Sequence, residues 1–77
     1  MIDSFDLVIP CYNEEHVLEN TIDQVVPFMQ QNFNFQWKII IADNASTDAT
    51  FKIAKKLEQK YKNQVVAMHI PLKGRGL

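Results

Sequence analysis

Residues 5–20 read FDLVIPCYNEEHVLEN, and this stretch decides how the chain begins to fold. Its first six residues form an apolar run that stops at Pro10, which is typical of a buried strand. After it, apolar residues recur at every third or fourth position, which indicates one face of an amphipathic helix. Asn13 is a favourable N-cap for that helix, and the negative charges of Glu14 and Glu15 suit its dipole. The stretch therefore predicts a strand that ends at Pro10 and a helix that begins at Glu14.

This first helix contains a proline, Pro27. Proline lacks a backbone N–H, and its ring crowds the preceding helical turn. We therefore expect the helix to be kinked or to end near Val26, and residues 28–31 would then form a separate turn.

The rest of the chain repeats the alternation of strand and helix. WKIIIAD, residues 37–43, predicts a second strand, and its run of isoleucines suggests burial on both faces. The turn cluster NASTD follows and offers Ser46 and Asp48 as competing N-caps for a second helix. That helix has an apolar face over residues 51–61, and QVVAMHI, residues 64–70, predicts a third strand.

The order of these elements predicts the fold class. Strands that alternate with helices imply a parallel sheet with right-handed crossovers. We therefore expect an α/β fold, a three-layer β-α-β-α-β arrangement that makes up half of a doubly wound domain. The first strand would be left with a bare edge, so we also expect the chain to be truncated at its C-terminus and to self-associate.

The composition of the chain excludes several classes of function. Eight basic and nine acidic residues give a net charge of −1, which provides no electrostatic reason to expect a nucleic-acid partner. The single cysteine, Cys11, cannot form an internal disulfide and belongs to no metal-ligand cluster. No segment approaches the roughly 18 apolar residues of a membrane span, and the N-terminus lacks the basic start of a signal peptide. We expect a cytoplasmic protein, which associates with a membrane only through segments absent from this chain.

Polar clusters follow all three predicted strands: PCYNEE, DNASTD and PLKGRG. In open parallel sheets, ligands bind beyond the carboxyl ends of the strands. Tyr12 could pack against a flat base there, and Asp43 could accept hydrogen bonds from base N–H or ribose hydroxyl groups. Lys73 and Arg75, beside glycines, could meet phosphate charge. The clusters together predict a ligand site at this edge of the sheet.

Each cluster also has a purely structural interpretation. Asn13, Glu14 and Glu15 can serve only as cap and dipole partners, and Asp43 can serve only as a turn former. A basic loop that contains glycine, such as KGRG, is usually just a loop. His16 and His69 lack partners at ligand spacing, so neither predicts a metal site. The dinucleotide fingerprint G-x-G-x-x-G and the P-loop are both absent.

Taken together, VIPCYNEE, IIIADNASTDAT and KGRG resemble the N-terminal half of a family 2 glycosyltransferase of the GT-A, Rossmann-like fold. This family includes dolichyl-phosphate mannose synthase-like and bactoprenol glucosyltransferase-like enzymes. The resemblance extends over residues 5–77, so that residues 1–77 would form the nucleotide-sugar-binding part of a truncated glycosyltransferase domain. The first two motifs are fairly specific, whereas the third is only supportive.

The resemblance implies roles for particular residues. It assigns nucleotide binding to the following positions: Pro10, Tyr12, Glu14, Asp43, Asn44, Asp48 and Arg75. Asn44 stands where the family often has a second aspartate, which leaves the identity of the base open between UDP and GDP. Ala45 replaces the usual glycine, which suggests that this turn does not need a positive φ. Leu72 replaces the asparagine of the family's third motif.

The resemblance also implies an activity for the parent protein. It would transfer a sugar from a nucleotide-diphosphate sugar to a lipid carrier such as polyprenyl phosphate, to a glycan or to another acceptor. The family's Mg²⁺ or Mn²⁺ ligands and its catalytic base lie downstream of this chain, so no catalytic residue can be named here and the isolated chain is expected to be inactive. The alternatives are a non-catalytic module that binds a nucleotide or a partner, and a small structural domain.

Overall fold

The computed structural model describes residues 4–71. Within this range, three strands alternate with two helices, as the sequence predicts. The elements are β1 (Ser4–Cys11), α1 (Leu18–Asn32), β2 (Gln36–Asn44), α2 (Thr50–Lys60) and β3 (Val65–Ile70). The α/β class and the β-α-β-α-β order are therefore confirmed.

The three strands form one parallel sheet in the order β1-β2-β3. The register of the sheet places Leu7 beside Ile39 and Ile39 beside Val65. Since side chains alternate between the two faces of a strand, residues at these odd-numbered positions share one face of the sheet. The central strand β2 is thus paired on both sides, and β1 and β3 form the edges of the described sheet.

Both helices cover the same face of this sheet. Two right-handed crossovers that step in the same direction along a sheet place their helices on one side of it. The core between the sheet and the helices consists of the following buried side chains: Cys11, Leu18, Ile22, Val26, Met29, Trp37, Ile39, Ile41, Ala54, Leu57 and Val65. The helices also contact one another, and Lys60 on α2 bonds the Asp23 carboxylate on α1 at 3.0 Å.

The other face of the sheet carries exposed apolar side chains. Val8 is 55% exposed, and Met68 and Ile70 are also exposed, whereas Ile40 is half-buried. Ile39 and Ile41 are buried on the face that the helices cover, as predicted. Ile40 on the other face is only half-buried, so the predicted burial of the isoleucine run on both faces is wrong at that residue. Residues 4–71 supply the sheet and one helical layer of the three layers predicted.

The first helix begins later than the sequence predicts. It starts at Leu18, and Asn13 has φ 52°, so that Asn13 is not its N-cap. The backbone N–H groups of Asn13, Glu14 and Glu15 instead donate to side chains from the segment between β2 and α2 and from the first residue of α2. N–H groups at the start of a helix lack an intrahelical partner, and these long-range bonds satisfy three such groups in the segment before Leu18.

Helix α1 continues through Pro27 to Asn32, so the predicted end near Val26 and the separate turn over residues 28–31 are wrong. Proline inside a helix costs about 3 kcal/mol. Of the four buried side chains of α1, Leu18, Ile22 and Val26 precede Pro27 and Met29 lies beyond it. Burial of Met29 contributes about 1.5–3 kcal/mol, which is comparable with the proline penalty. A kink at Pro27 stays a prediction.

Among residues 4–71, no helix is long and apolar enough to cross a bilayer.

Candidate functional site

The three strands end at one edge of the sheet, which we call the carboxyl edge. The register there aligns Cys11 on β1 with Asp43 on β2, and Asp43 with His69 on β3. These three residues form one row on the face that the helices cover. The polar clusters that the sequence places after β1 and β2 therefore meet at the same edge.

Two loops cross the carboxyl edge, loop A (residues 12–17) after β1 and loop B (residues 45–49) after β2. Asn13 joins them from both its backbone and its side chain. Its N–H donates to the Ser46 hydroxyl at 2.9 Å, and its Oδ1 accepts from the N–H groups of Thr47 at 2.8 Å and Asp48 at 3.3 Å. A left-handed backbone, which asparagine tolerates better than most residues, orients Asn13 for all of these bonds.

A second set of hydrogen bonds is reciprocal. The Glu15 N–H donates to the Asp48 carboxylate at 3.3 Å, while the Glu15 carboxylate accepts from the Ala49 N–H at 3.0 Å. The Glu14 N–H donates to the Thr50 hydroxyl at 2.8 Å, and Thr50 is fully buried. We call all of these bonds, which join loop A to loop B and to the first residue of α2, the loop clasp. Its effect is that the two sequence motifs fix each other's conformation.

Asp48 is committed to this clasp. Its Oδ1 accepts from both the N–H, at 2.9 Å, and the hydroxyl of Thr50. Helix α2 begins at Thr50 with Ala49 as its N-cap, so the prediction that Ser46 or Asp48 caps it is wrong. Partial desolvation raises the pKa of Asp48, but the hydrogen bonds from Thr50 and Glu15 outweigh it and hold the pKa below its usual value.

Asp43, like Thr50, has none of its surface exposed. One carboxylate oxygen accepts from the Ser46 hydroxyl. The other accepts from the Ser46 N–H at 3.4 Å and lies 3.2 Å from Nδ1 of His69. The structure therefore places Asp43 beneath the site, where protein groups occupy its oxygens.

The turn after β2 does require a positive φ. Ala45 has φ 55°, so the expectation drawn from the absence of glycine is wrong. A left-handed conformation costs an alanine roughly 1–2 kcal/mol. The two hydrogen bonds from Ser46 to Asp43 and the clasp bonds to Asn13 hold the turn in this shape despite the strain.

Other predicted site residues lie nearer to solvent. Pro10 and Glu14 are exposed, and Tyr12 is half-buried. Asn44 is half-buried, and its carbonyl oxygen Oδ1 is a buried acceptor without a hydrogen-bond partner in residues 4–71. The predicted phosphate-binding residues and the substituted position of the third motif, namely Lys73, Arg75 and Leu72, lie outside the described residues.

The electrostatic character of the carboxyl edge is acidic. Burial, together with the nearby negative charges of Asp43, Glu14 and Asp48, raises the pKa of the Cys11 thiol to about 11. An edge of this kind accepts hydrogen bonds from N–H and O–H groups and repels phosphate. Within residues 4–71, no group of three or more His, Cys, Asp or Glu side chains could hold a metal ion.

Sequence reasoning missed two residues of this site. It weighed His69 only as a metal ligand and did not consider Thr50, although both contact the predicted motifs. The signal for His69 is its register with Asp43, which requires the pairing of β2 and β3 to be known. Thr50 offered no such signal, because its partner Glu14 is 36 positions away in sequence.

A cavity of about 810 Å³ lies at the opposite end of the sheet, where the strands begin. Its lining includes Asp6, Gln36, Lys38 and Gln64. Ligands of open parallel sheets bind at the carboxyl ends of the strands, so we assign the candidate site to the carboxyl edge in preference to this cavity.

The chain matches one family model and several known proteins. The family model described as "Glycosyl transferase family 2" matches residues 6–75. The chain is 44% identical over 52 residues to the UDP-N-acetylglucosamine--dolichyl-phosphate N-acetylglucosaminyltransferase of Methanococcus voltae, covering 68% of this chain and 18% of that protein. It is 32% identical over 74 residues to human dolichyl-phosphate beta-glucosyltransferase, covering 91% of this chain and 23% of that protein. The chain thus spans about a fifth of the length of these relatives, and no solved structure matches it.

Proposed function

Because this chain belongs to glycosyl transferase family 2, we propose that residues 1–77 form the nucleotide-binding N-terminal part of a glycosyltransferase domain. The parent protein transfers a sugar from a nucleotide-diphosphate sugar to an acceptor. The observation that carries this proposal is the loop clasp, which brings two of the family's motifs together at the carboxyl edge of a parallel sheet.

The chemistry of the carboxyl edge suits the nucleoside part of the donor. Base N–H groups and ribose hydroxyls are donors, and the carboxylate of Glu14 and the unpartnered Oδ1 of Asn44 are acceptors. Tyr12 offers a ring against which a base can pack, and exposed Pro10 borders the same loop. The acidic field makes this edge unsuitable for the diphosphate, which we assign to Arg75 and its neighbours.

The two aspartates of the second motif support the site from below. Both oxygens of Asp43 and both oxygens of Asp48 accept hydrogen bonds from protein groups. We therefore assign them the task of holding the loops in the conformation that meets the nucleoside. The structural and the binding interpretations of these motifs are thus compatible.

The donor is UDP- or GDP-linked, and the acceptor is a polyprenyl phosphate. The names of the relatives support this acceptor class, since both are transferases of dolichyl phosphate. Such an acceptor is held in a bilayer, so we place the parent protein on the cytoplasmic side of a membrane. It would associate with that membrane through segments other than this chain.

Members of this family generally use a divalent metal ion. The described residues do not fit one, because Asp43 and Asp48 are already hydrogen-bonded within the protein and no cluster of three ligands exists in residues 4–71. We therefore place the ligands for Mg²⁺ or Mn²⁺ beyond this part of the chain, and we assign no step of the transfer to the residues described.

The test is a calorimetric titration of the full-length protein with UDP and then GDP, in the presence of Mg²⁺. Replacing Glu14→Gln removes a charged acceptor and should weaken binding of the preferred nucleotide about tenfold or more, since hydrogen bonds to charged groups contribute about 1.5–3 kcal/mol. Asp6→Asn is the matched control, because it removes one exposed carboxylate at the far end of β1. A protein that binds neither nucleotide, or equal losses in both variants, would refute the proposal.

A further inference from the structure

The strongest unassigned feature of the carboxyl edge is the pair formed by Asp43 and His69. The Asp43 carboxylate is fully buried, yet 45% of the His69 side chain is exposed. Their contact, 3.2 Å between Oδ2 and Nδ1, lies in the row of residues that ends the three strands. A buried acceptor thus holds one end of a ring whose remainder reaches the surface of the candidate site.

This contact selects one form of the imidazole. The Asp43 carboxylate can only accept, so Nδ1 must carry the hydrogen in the bond between them. In the neutral ring, the other nitrogen, Nε2, is then an acceptor. The Phe51 ring lies 4.9 Å from the imidazole centroid and restricts the orientation of His69 from a second side.

Among residues 4–71, His69 makes its polar contact through Nδ1, and no residue of this range forms a hydrogen bond to its Nε2. The two nitrogens of imidazole point in widely different directions, so the exposed part of the ring is the part away from Asp43. In its neutral form, His69 therefore presents an oriented acceptor at an edge that otherwise offers carboxylate and amide acceptors.

We propose that His69 contacts the nucleoside through Nε2, which accepts a hydrogen bond from a base N–H or a ribose hydroxyl, and that Asp43 is the positioning residue that fixes its tautomer. This inference rests on the proposed function and deepens it. It assigns to β3 a nucleoside contact, and it explains why a carboxylate with no exposed surface stands at the centre of the motif.

A purely structural role for His69 gives different expectations. Two donors from Ser46 already serve Asp43, so a structural His69 would need only to supply a third donor. An asparagine can supply that donor from roughly the position of Nδ1 but leaves nothing at the position of Nε2. A glutamine reaches roughly the position of Nε2, so the two amides separate the two roles.

The test uses the full-length protein labelled with ¹⁵N-histidine, together with the variants His69→Asn and His69→Gln. Without nucleotide, the ¹⁵N shifts should show hydrogen on Nδ1, and the Nε2 resonance should move when the preferred nucleotide, UDP or GDP, is added. His69→Asn should weaken nucleotide binding about five- to tenfold, the effect of one neutral hydrogen bond, while the midpoint of urea unfolding stays close to that of the unchanged protein. His69→Gln should recover part of the lost affinity.

The outcomes separate this inference from the proposed function. If calorimetry shows that the nucleotide binds but the Nε2 resonance does not move, or if His69→Asn binds as tightly as the unchanged protein, the role of His69 is refuted and the nucleotide site stands. Hydrogen on Nε2 in the free protein would also refute the role of Asp43. If calorimetry detects no binding of either nucleotide, the proposed function itself fails, and the role of His69 fails with it.

Discussion

The side-chain oxygen of Asn13 accepts a hydrogen bond from the backbone N–H of Thr47 at 2.8 Å, across 34 positions of sequence. This contact and its neighbours make loop A and loop B one unit, although they follow different strands. The unit depends on side chains that the sequence alone explains as local caps, and its removal should therefore affect both loops at once.

Replacing Asn13→Ala should lower the free energy of unfolding by about 2–3 kcal/mol. The alanine removes the acceptor for two backbone N–H groups, and it tolerates the left-handed backbone of this position less well than asparagine does. Chemical denaturation measures the loss. Asn13→Gly should cost less, since it removes the acceptor without the strain, and Asn20→Ala on the exposed surface of α1 should change stability by less than about 0.5 kcal/mol. Equal effects at positions 13 and 20 would contradict the clasp.

Replacing Ala45→Gly should stabilise the protein by about 0.5–1 kcal/mol. Ala45 has φ 55°, and glycine adopts this conformation without the steric cost, although it loses more backbone entropy on folding. The same change in a helix, Ala54→Gly, should destabilise by about 1 kcal/mol or more, because Ala54 is buried in α2. Thermal unfolding of both variants checks the prediction, and a loss of stability at position 45 would show that the turn is not strained.

The stability of the protein should fall in acid partly through Asp48. Hydrogen bonds from Thr50 and Glu15 lower its folded-state pKa. The pKa of an aspartate in the unfolded chain is about 3.9, and the pKa of Asp48 in the folded protein is lower. Asp48 therefore stabilises the folded protein fully above the unfolded pKa, and this stabilisation is lost as the pH falls through the folded pKa. Urea unfolding of the unchanged protein and of Asp48→Asn, compared between pH 6 and pH 3, isolates this contribution from those of other carboxylates. The two proteins should differ most at pH 6 and converge toward pH 3, and a constant difference would contradict the prediction.

The thiol of Cys11 should resist alkylation. It is 4% exposed, and burial together with neighbouring carboxylates raises its pKa to about 11. At pH 8 only about one thiol in a thousand would be ionised, and the thiolate is the reactive form. Iodoacetamide labelling followed by mass spectrometry should be slow in buffer and rapid in 6 M urea. Rapid labelling of the folded protein would show that the carboxyl edge is more open than the structure describes.

The sequence predicted most of the fold because its signals are local. The runs FDLVIP and WKIIIAD and the helical periodicity after Glu15 each determine an element without reference to the rest of the chain. Helix α1 passes through Pro27 because the burial of Met29 beyond it offsets the proline penalty, and burial is decided by tertiary packing.

The site was predictable only in part, for a related reason. The motifs around Tyr12 and Asp43 indicated which residues gather at the carboxyl edge. Their partners could not be predicted, since the clasp joins residues 33–36 positions apart and the role of His69 depends on strand register. The positive φ of Ala45 was missed because the absence of glycine was taken as a sign of relaxed geometry.

The length of chain between the two halves of the clasp bears on how the protein folds. The contact between Glu14 and Thr50 closes a segment of 36 residues that includes all of α1 and β2. The pairing of β1 with β2 closes a segment of similar length and brings the two loops together, so we expect the clasp to close after these strands have paired. On this expectation the ligand-facing loops form after the sheet. Substitutions in the clasp should consequently accelerate unfolding and leave the rate of folding nearly unchanged. The loops that we assign to the nucleotide would then stabilise the protein chiefly by slowing its unfolding.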